Sequence, residues 1–242
     1  MERFLFHSEA YALTGRFTVP FEEVIPVQAM ATLPMTGGYG SVQVENFDFR
    51  HMVSFRRATA SVSGSQSQKD AEGRGPLVSR ATVEIEGFNL LGMVTAGRIF
   101  ASVSTSIPFS GEEASLYLQA GFDDLRIAGE PVKIEIDADY FNRLPQWSAL
   151  TAEVGKNAPK GLRLPLGSSF RNDVLAFTLA RGSVRGSKAT EITIPNFGTI
   201  SLAELFITPY ARRISMMRIE LGCPEEGRLE IGGAGGNGAG WP

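Results

Sequence analysis

Residues 42–62, VQVENFDFRHMVSFRRATASV, lie without a gap on residues 83–103, VEIEGFNLLGMVTAGRIFASV. Nine of the 21 aligned pairs are identical: Val42/Val83, Glu45/Glu86, Phe47/Phe88, Met52/Met93, Val53/Val94, Arg57/Arg98, Ala60/Ala101, Ser61/Ser102 and Val62/Val103. Both segments alternate apolar and polar residues, the signature of a strand with one face in a core and one in water. The alignment therefore reads as a repeated strand–turn–strand unit. In each copy the strand is expected to end at Asn46 or Gly87, where the chain turns, and Phe47 or Phe88 plugs the core beneath the corner. Shorter echoes of that corner occur at Leu118–Phe122 and Ile192–Phe197.

Working outward, the same period-2 alternation runs through Ser41–Phe49, Arg80–Phe88, Val132–Asp137 and Glu191–Phe197, with further strands expected at Arg213–Ile219 and Arg228–Ile231. Helical periodicity is scarce. Short helices are expected at Ser148–Val154 and Ser201–Phe206, where a serine can cap the first turn. The 27 glycines and 13 prolines punctuate many short strands. The fold expected is all-β, an antiparallel sandwich or barrel with internal pseudo-repeats. A β-solenoid is the alternative, although a 41-residue spacing is long for solenoid coils. The organisation expected is a β-rich repeat region over 1–155, a C-terminal β region over 156–231 packed on it, and a Gly-rich tail over 232–242. Gly64–Pro76 reads as an exposed loop between the repeat units, and the tail as flexible unless something packs on it.

The chain has 242 residues, 43% of them hydrophobic and 20% charged, with a formal net charge of −3. That balance disfavours general nucleic-acid binding, which needs a basic surface to neutralise phosphates. The charge is uneven. Glu112–Arg143 holds eight acids and three bases, a net of −5, and Thr151–Arg218 holds ten bases and four acids, a net of +6. Such regions can pair within one copy or between copies. No run of 18 apolar residues is present, so no membrane-spanning helix is expected. The N-terminus lacks the basic and apolar regions of a signal peptide. The compartment expected is cytoplasmic as written, or exported if a signal has been removed. Cys223 is the only cysteine, so no intrachain disulfide can form.

Chemistry-bearing residues are few. Only His7 and His51 could serve as imidazole bases. With one cysteine, they cannot easily build a transition-metal site. The glycine-rich Thr36–Gly40 lacks the form of a phosphate-binding loop. No cofactor is expected. The carboxylates are better candidates. Asp137 and Asp139, two residues apart near a strand end, would face the same side and could supply an acid and a base beside Tyr140. Asp123 and Asp124 could contribute to a Ca²⁺ site with loop carbonyls. Trp147, Tyr210 and Trp241 could stack on a sugar or another ligand. Each of these has a plain structural alternative as a solvated strand face, a turn aspartate or a packing aromatic.

Three stretches carry a family resemblance: Ser8–Gly15 followed by Val19-Pro20, Ala81–Ala96, and Leu125–Val132. Together they resemble bacterial choice-of-anchor surface proteins, over about the first 140 residues. The resemblance implies an exported, non-enzymatic β-rich domain and carries no functional residues across. The sequence departs from that family in having neither a signal peptide nor a sorting tail. The function expected is a non-catalytic structural or binding protein that forms homo-oligomers. The alternatives are a small-molecule enzyme using carboxylates in a β-barrel cavity, and a carbohydrate- or Ca²⁺-binding module.

Overall fold

In the computed structural model the two aligned segments are successive antiparallel hairpins. The structure describes residues 5–67, 75–108, 112–156, 162–163, 175–184, 187–188, 191–209 and 211–237. The chain opens with β1 (Ser8–Val19), β2 (Glu23–Gln28) and β3 (Ala31–Thr32). The hairpins follow as β4 (Gly38–Phe49), β5 (Val53–Gln66), β6 (Leu77–Leu90) and β7 (Val94–Ile107). Next come β8 (Ser115–Asp123), β9 (Arg126–Ile127), β10 (Glu130–Pro131), β11 (Ile134–Ile136), α1 (Ala138–Asn142) and α2 (Trp147–Lys156). The C-terminal part adds β12 (Leu162–Arg163), β13 (Leu175–Thr178), β14 (Ala180–Val184), β15 (Ser187–Lys188), β16 (Ile192–Ile194), β17 (Gly198–Ile207), β18 (Ala211–Leu221) and β19 (Glu226–Asn237).

Two large antiparallel sheets result. One runs β12-β13-β17-β18-β19-β1-β2, with β16 on β17 and β3 on β1. The other runs β10-β9-β7-β6-β5-β4, with β8 also on β7. They pack face to face, β1 over β5 and β6, β19 over β6 and β7, and β18 over β7. The expected all-β sandwich is the architecture, and neither a closed barrel nor a solenoid. The core between the sheets is mainly aliphatic, with Leu13, Ile25, Ile85, Ile99, Leu118, Ile200 and Ile231 fully buried beside Phe17 and Phe88. The first sheet joins β1–β3 to strands from Leu162 onward, so the sheets do not divide the chain at residue 156.

Several local expectations differ from the structure. Ser201–Phe206 is strand β17 and not a helix. Ile200, Leu202, Ala203 and Leu205 are all buried, and a run buried on both faces carries no period that separates strand from helix. Pairing with β13 and β18 decides the matter over local propensity. The expected helix near Ser148–Val154 is present as α2. Of the expected Gly64–Pro76 loop, Gly64–Gln66 belong to β5, and residues 68–74 lie outside the described residues. Asn196-Phe197 does sit in a tight turn, between β16 and β17.

Asn46 and Gly87 do not end their strands. Both have positive φ, 51° and 66°, yet β4 and β6 run on to Phe49 and Leu90. Asn46, Arg56, Gly87 and Gly97 fall on one line across β4–β7, between residues that pair directly on either side. Along this seam the buried face changes parity. In β6, Val83 and Ile85 point to the core before it, and Phe88 and Leu90 after it. In β5 the change leaves Arg56 and Arg57 exposed in succession.

The glycine-rich segment from Gly232 is strand β19 as far as Asn237, paired on both sides. Ser8 lies opposite Gly236, and Ile214 opposite Ala234. Gly232 to Gly236 are buried. A Cβ on Gly233 would collide with the Tyr11 ring, and one on Gly232 would lie 3.0 Å from Met216 Cβ. Glycine is required here for close approach, and the aromatic ring covers the bare backbone it leaves.

Candidate functional site

The carboxylates come first. Strand β11 ends at Ile136, and Asp137 caps helix α1, accepting from the Tyr140 backbone N–H at 3.3 Å. Asp139 lies in the first helical turn and is exposed. The two carboxylates therefore do not share a strand face, which corrects the expectation from their spacing. Asp137 also forms an ion pair with Arg181. The cleft between them is lined by Asp137, Tyr140, Phe177, Thr178 and Arg181 and has room for about one water molecule. The Tyr140 and Thr178 hydroxyls are buried there without a hydrogen-bond partner among the described residues. Burial, with Glu153 and Asp137 behind it, raises the Tyr140 hydroxyl above its ordinary pKa.

Asp123 and Asp124 do not converge. Asp123 faces Arg98 at 3.7 Å, and Asp124 bonds Arg126 at 3.0 Å. No group of three metal-ligating side chains occurs among the described residues. Trp147 opens α2 and is half-buried against the core. Tyr210 and Trp241 lie outside the described residues. His51 is exposed in the β4–β5 turn, where its Nδ1 lies 3.2 Å from Asp48. No helix among the described residues is long and apolar enough to cross a membrane.

Larger features lie on β4 and on the outward face of its sheet. Strand β4 is 12 residues long, and β5 is the only strand hydrogen-bonded to it among the described residues, although β3 packs close by near Gly40. Its turn end is fastened to the other sheet. Phe49 stacks on Phe17 at 5.8 Å, and Arg50 pairs with Glu23 at 2.7 Å. Towards its start it is open, with Val42 39% exposed although it faces the core side opposite the buried Ala60. The far side of the sheet is treated differently. The Asn142 side chain accepts from Leu118 N–H at 2.8 Å and donates to Leu118 C=O at 2.9 Å, covering the edge of β8.

Register across β4–β8 sorts the outward side chains into rows, because directly opposed residues point to the same face. One row is Tyr39–Ser63–Arg80–Ser104–Tyr117. The next is Ser41–Ser61–Thr82–Ser102–Gln119. The row beside the seam is Glu45–Arg57–Glu86–Arg98–Asp123, alternating in charge across five strands. Arg56 and Arg57 both pair with Glu86, and the hydrogen bond from Arg57 holds its carboxyl below the usual carboxylate range. These rows had not been marked by the sequence pattern. The signal available was serine and threonine at outward positions of strands where charges are usual.

These strands all lie within a segment, residues 4–162, that matches a protein family described as a domain of unknown function (DUF8256). The chain belongs to that family. The matched segment holds β1–β3 and the whole of the β4–β10 sheet, while β13–β19 follow it. No curated protein and no solved structure matches the chain.

Proposed function

We propose that this protein is a non-catalytic, β-rich structural or binding protein that self-associates by strand addition at β4. The open edge of β4 carries the reading. An edge strand presents a row of backbone donors and acceptors to any extended chain that approaches. Edges are normally blunted by lysine, proline or a covering segment, and β4 has neither lysine nor proline. Its charges are Glu45 and Asp48 alone. A second β4 laid on it would set acid against acid. The contact between copies is therefore head-to-tail, the acidic edge meeting a different surface of its neighbour. Such heterologous contacts close into rings or extend as filaments.

Other observations favour the same class. Asp137 is engaged by Arg181 and by the α1 cap, and its cleft is too small for an organic substrate. The equivalent hairpins, with positive φ at both Asn46 and Gly87, support a duplicated structural unit. The resemblance to bacterial choice-of-anchor surface proteins implies a non-enzymatic domain as well.

Light scattering across protein concentration at low ionic strength tests the proposal. The expected result is a mass that grows with concentration and falls as salt rises. Val42→Lys, a charge placed on the inward face of the edge, is expected to leave the circular dichroism unchanged and to give monomers. A monomeric mass at every concentration would end it.

A further inference from the structure

We propose that the outward face of β4–β8 is a docking platform for a neutral linear polysaccharide, with Tyr39 and Tyr117 stacking on sugar rings at the two ends of one row. Tyr39 is 73% exposed and Tyr117 48% exposed, on strands that carry no other large aromatic so open to water. A tyrosine ring offers an apolar face to the C–H face of a pyranose and a hydroxyl to its rim. The two rings lie in register, four strands apart. At the usual strand separation that is about 19 Å. This span takes several sugar units and exceeds any monosaccharide.

The side chains between the rings fit the same ligand. Ser63 and Ser104 stand in the tyrosine row, and Ser41, Thr82 and Gln119 in the next. Hydroxyls and amides both donate and accept, as sugar hydroxyls do. The two rows hold one charge, Arg80, and its Nε donates to Ser102 Oγ at 3.0 Å, which holds its side chain toward the neighbouring row. The next row, Gln43–Thr59–Glu84–Phe100–Gly121, and the Glu45 row beyond it balance their acids against Arg57 and Arg98, so no cationic patch borders the platform to hold a polyanion and the polymer is neutral. The rows cross the strands, so the polymer lies across the sheet.

This inference stands apart from self-association through the β4 edge, and one experiment separates them. The full chain is sedimented with microcrystalline cellulose, crystalline chitin and insoluble starch, and run by affinity electrophoresis in alginate. Retention is expected on at least one neutral polymer and not in alginate. Tyr39→Ala and Tyr117→Ala should each weaken that retention about tenfold, the scale of losing one interfacial aromatic anchor. The double variant should abolish it at unchanged thermal midpoint, since both rings are exposed. Val42→Lys should alter the oligomer and spare the retention. Retention on none of the neutral polymers, retention in alginate alone, or retention indifferent to both tyrosines would overturn the proposal. So would a double variant that loses only self-association, since the face would then be a contact between copies.

Discussion

Asp48 and Asn89, 41 positions apart, close their hairpins with the same bond. The Asp48 carboxylate accepts from the His51 backbone N–H at 2.9 Å, and the Asn89 side-chain oxygen accepts from the Gly92 N–H at 2.9 Å. In both, the side chain accepts from the N–H three residues on and so caps the turn. The difference between acid and amide makes only one of the two sensitive to pH. The His51 N–H is the main cause that holds the Asp48 carboxyl below its ordinary range, with the His51 ring adding to it. A carboxylate with a lowered folded pKa contributes stability above its unfolded pKa and loses it as pH falls through the folded value. The urea midpoint of Asp48→Asn should therefore fall less than that of the natural protein as pH drops below about 4. Asn89→Asp should fall more. Three parallel curves would contradict the assignment.

Phe47 and Phe88 are aligned in the two hairpins and differ in burial. Phe88 is 1% exposed, while Phe47 is half-buried on β4 and stacks on Phe55 at 4.9 Å. Phe88→Ala should cost about 3–5 kcal/mol by chemical denaturation. Phe47→Ala should cost clearly less, because its site is already open to water. Equal losses would mean that the edge is covered in solution.

Gly233 lies beneath the Tyr11 ring, whose hydroxyl is bonded by Arg213. Gly233→Ala should destabilise by about 1–3 kcal/mol, the usual result of overpacking. In a Tyr11→Ala background the added methyl has space, and most of that loss should vanish. A double-mutant cycle measures the coupling, and strict additivity would argue against the contact.

Tyr140→Phe removes a buried hydroxyl that has no partner among the described residues. Thermal and urea denaturation should show a change within about 1 kcal/mol in either direction. A much larger loss would place a bonded partner in the cleft beside Asp137.

The strand content was readable from alternation at Val42–Val44, Val83–Ile85 and Ile192–Ile194, since period 2 is a local property. The paired hairpins were readable from identities 41 positions apart. The seam was not. Glu86-Gly87-Phe88 spells a strand followed by a corner, and only the neighbouring strand, held in register, carries the chain through positive φ. The strand at Gly232–Asn237 was equally hidden. Glycine has no intrinsic preference for a sheet, and the group that makes it fit is Tyr11, at the other end of the chain. The spacing of Asp137 and Asp139 misled because Asp137 caps a helix that begins at Ala138, so the two are not on one strand. The tyrosine row could not be seen because Tyr39 and Tyr117 become neighbours in a pattern only after four registers are known. Trp147, an aromatic that could stack on a ligand, is half-buried against the core.

The pairing of β1 with β19 sets an order of events during synthesis. Ser8 finds its partner at Gly236, so nearly the whole polypeptide must leave the ribosome before the first sheet can close. At about 5–20 residues per second, β1 waits roughly 10–40 s for β19. Through that interval the nascent chain carries β1 without the strand that completes its sheet. The hairpins of β4–β7, whose contacts are local, can form meanwhile and offer β1 a surface on which to rest.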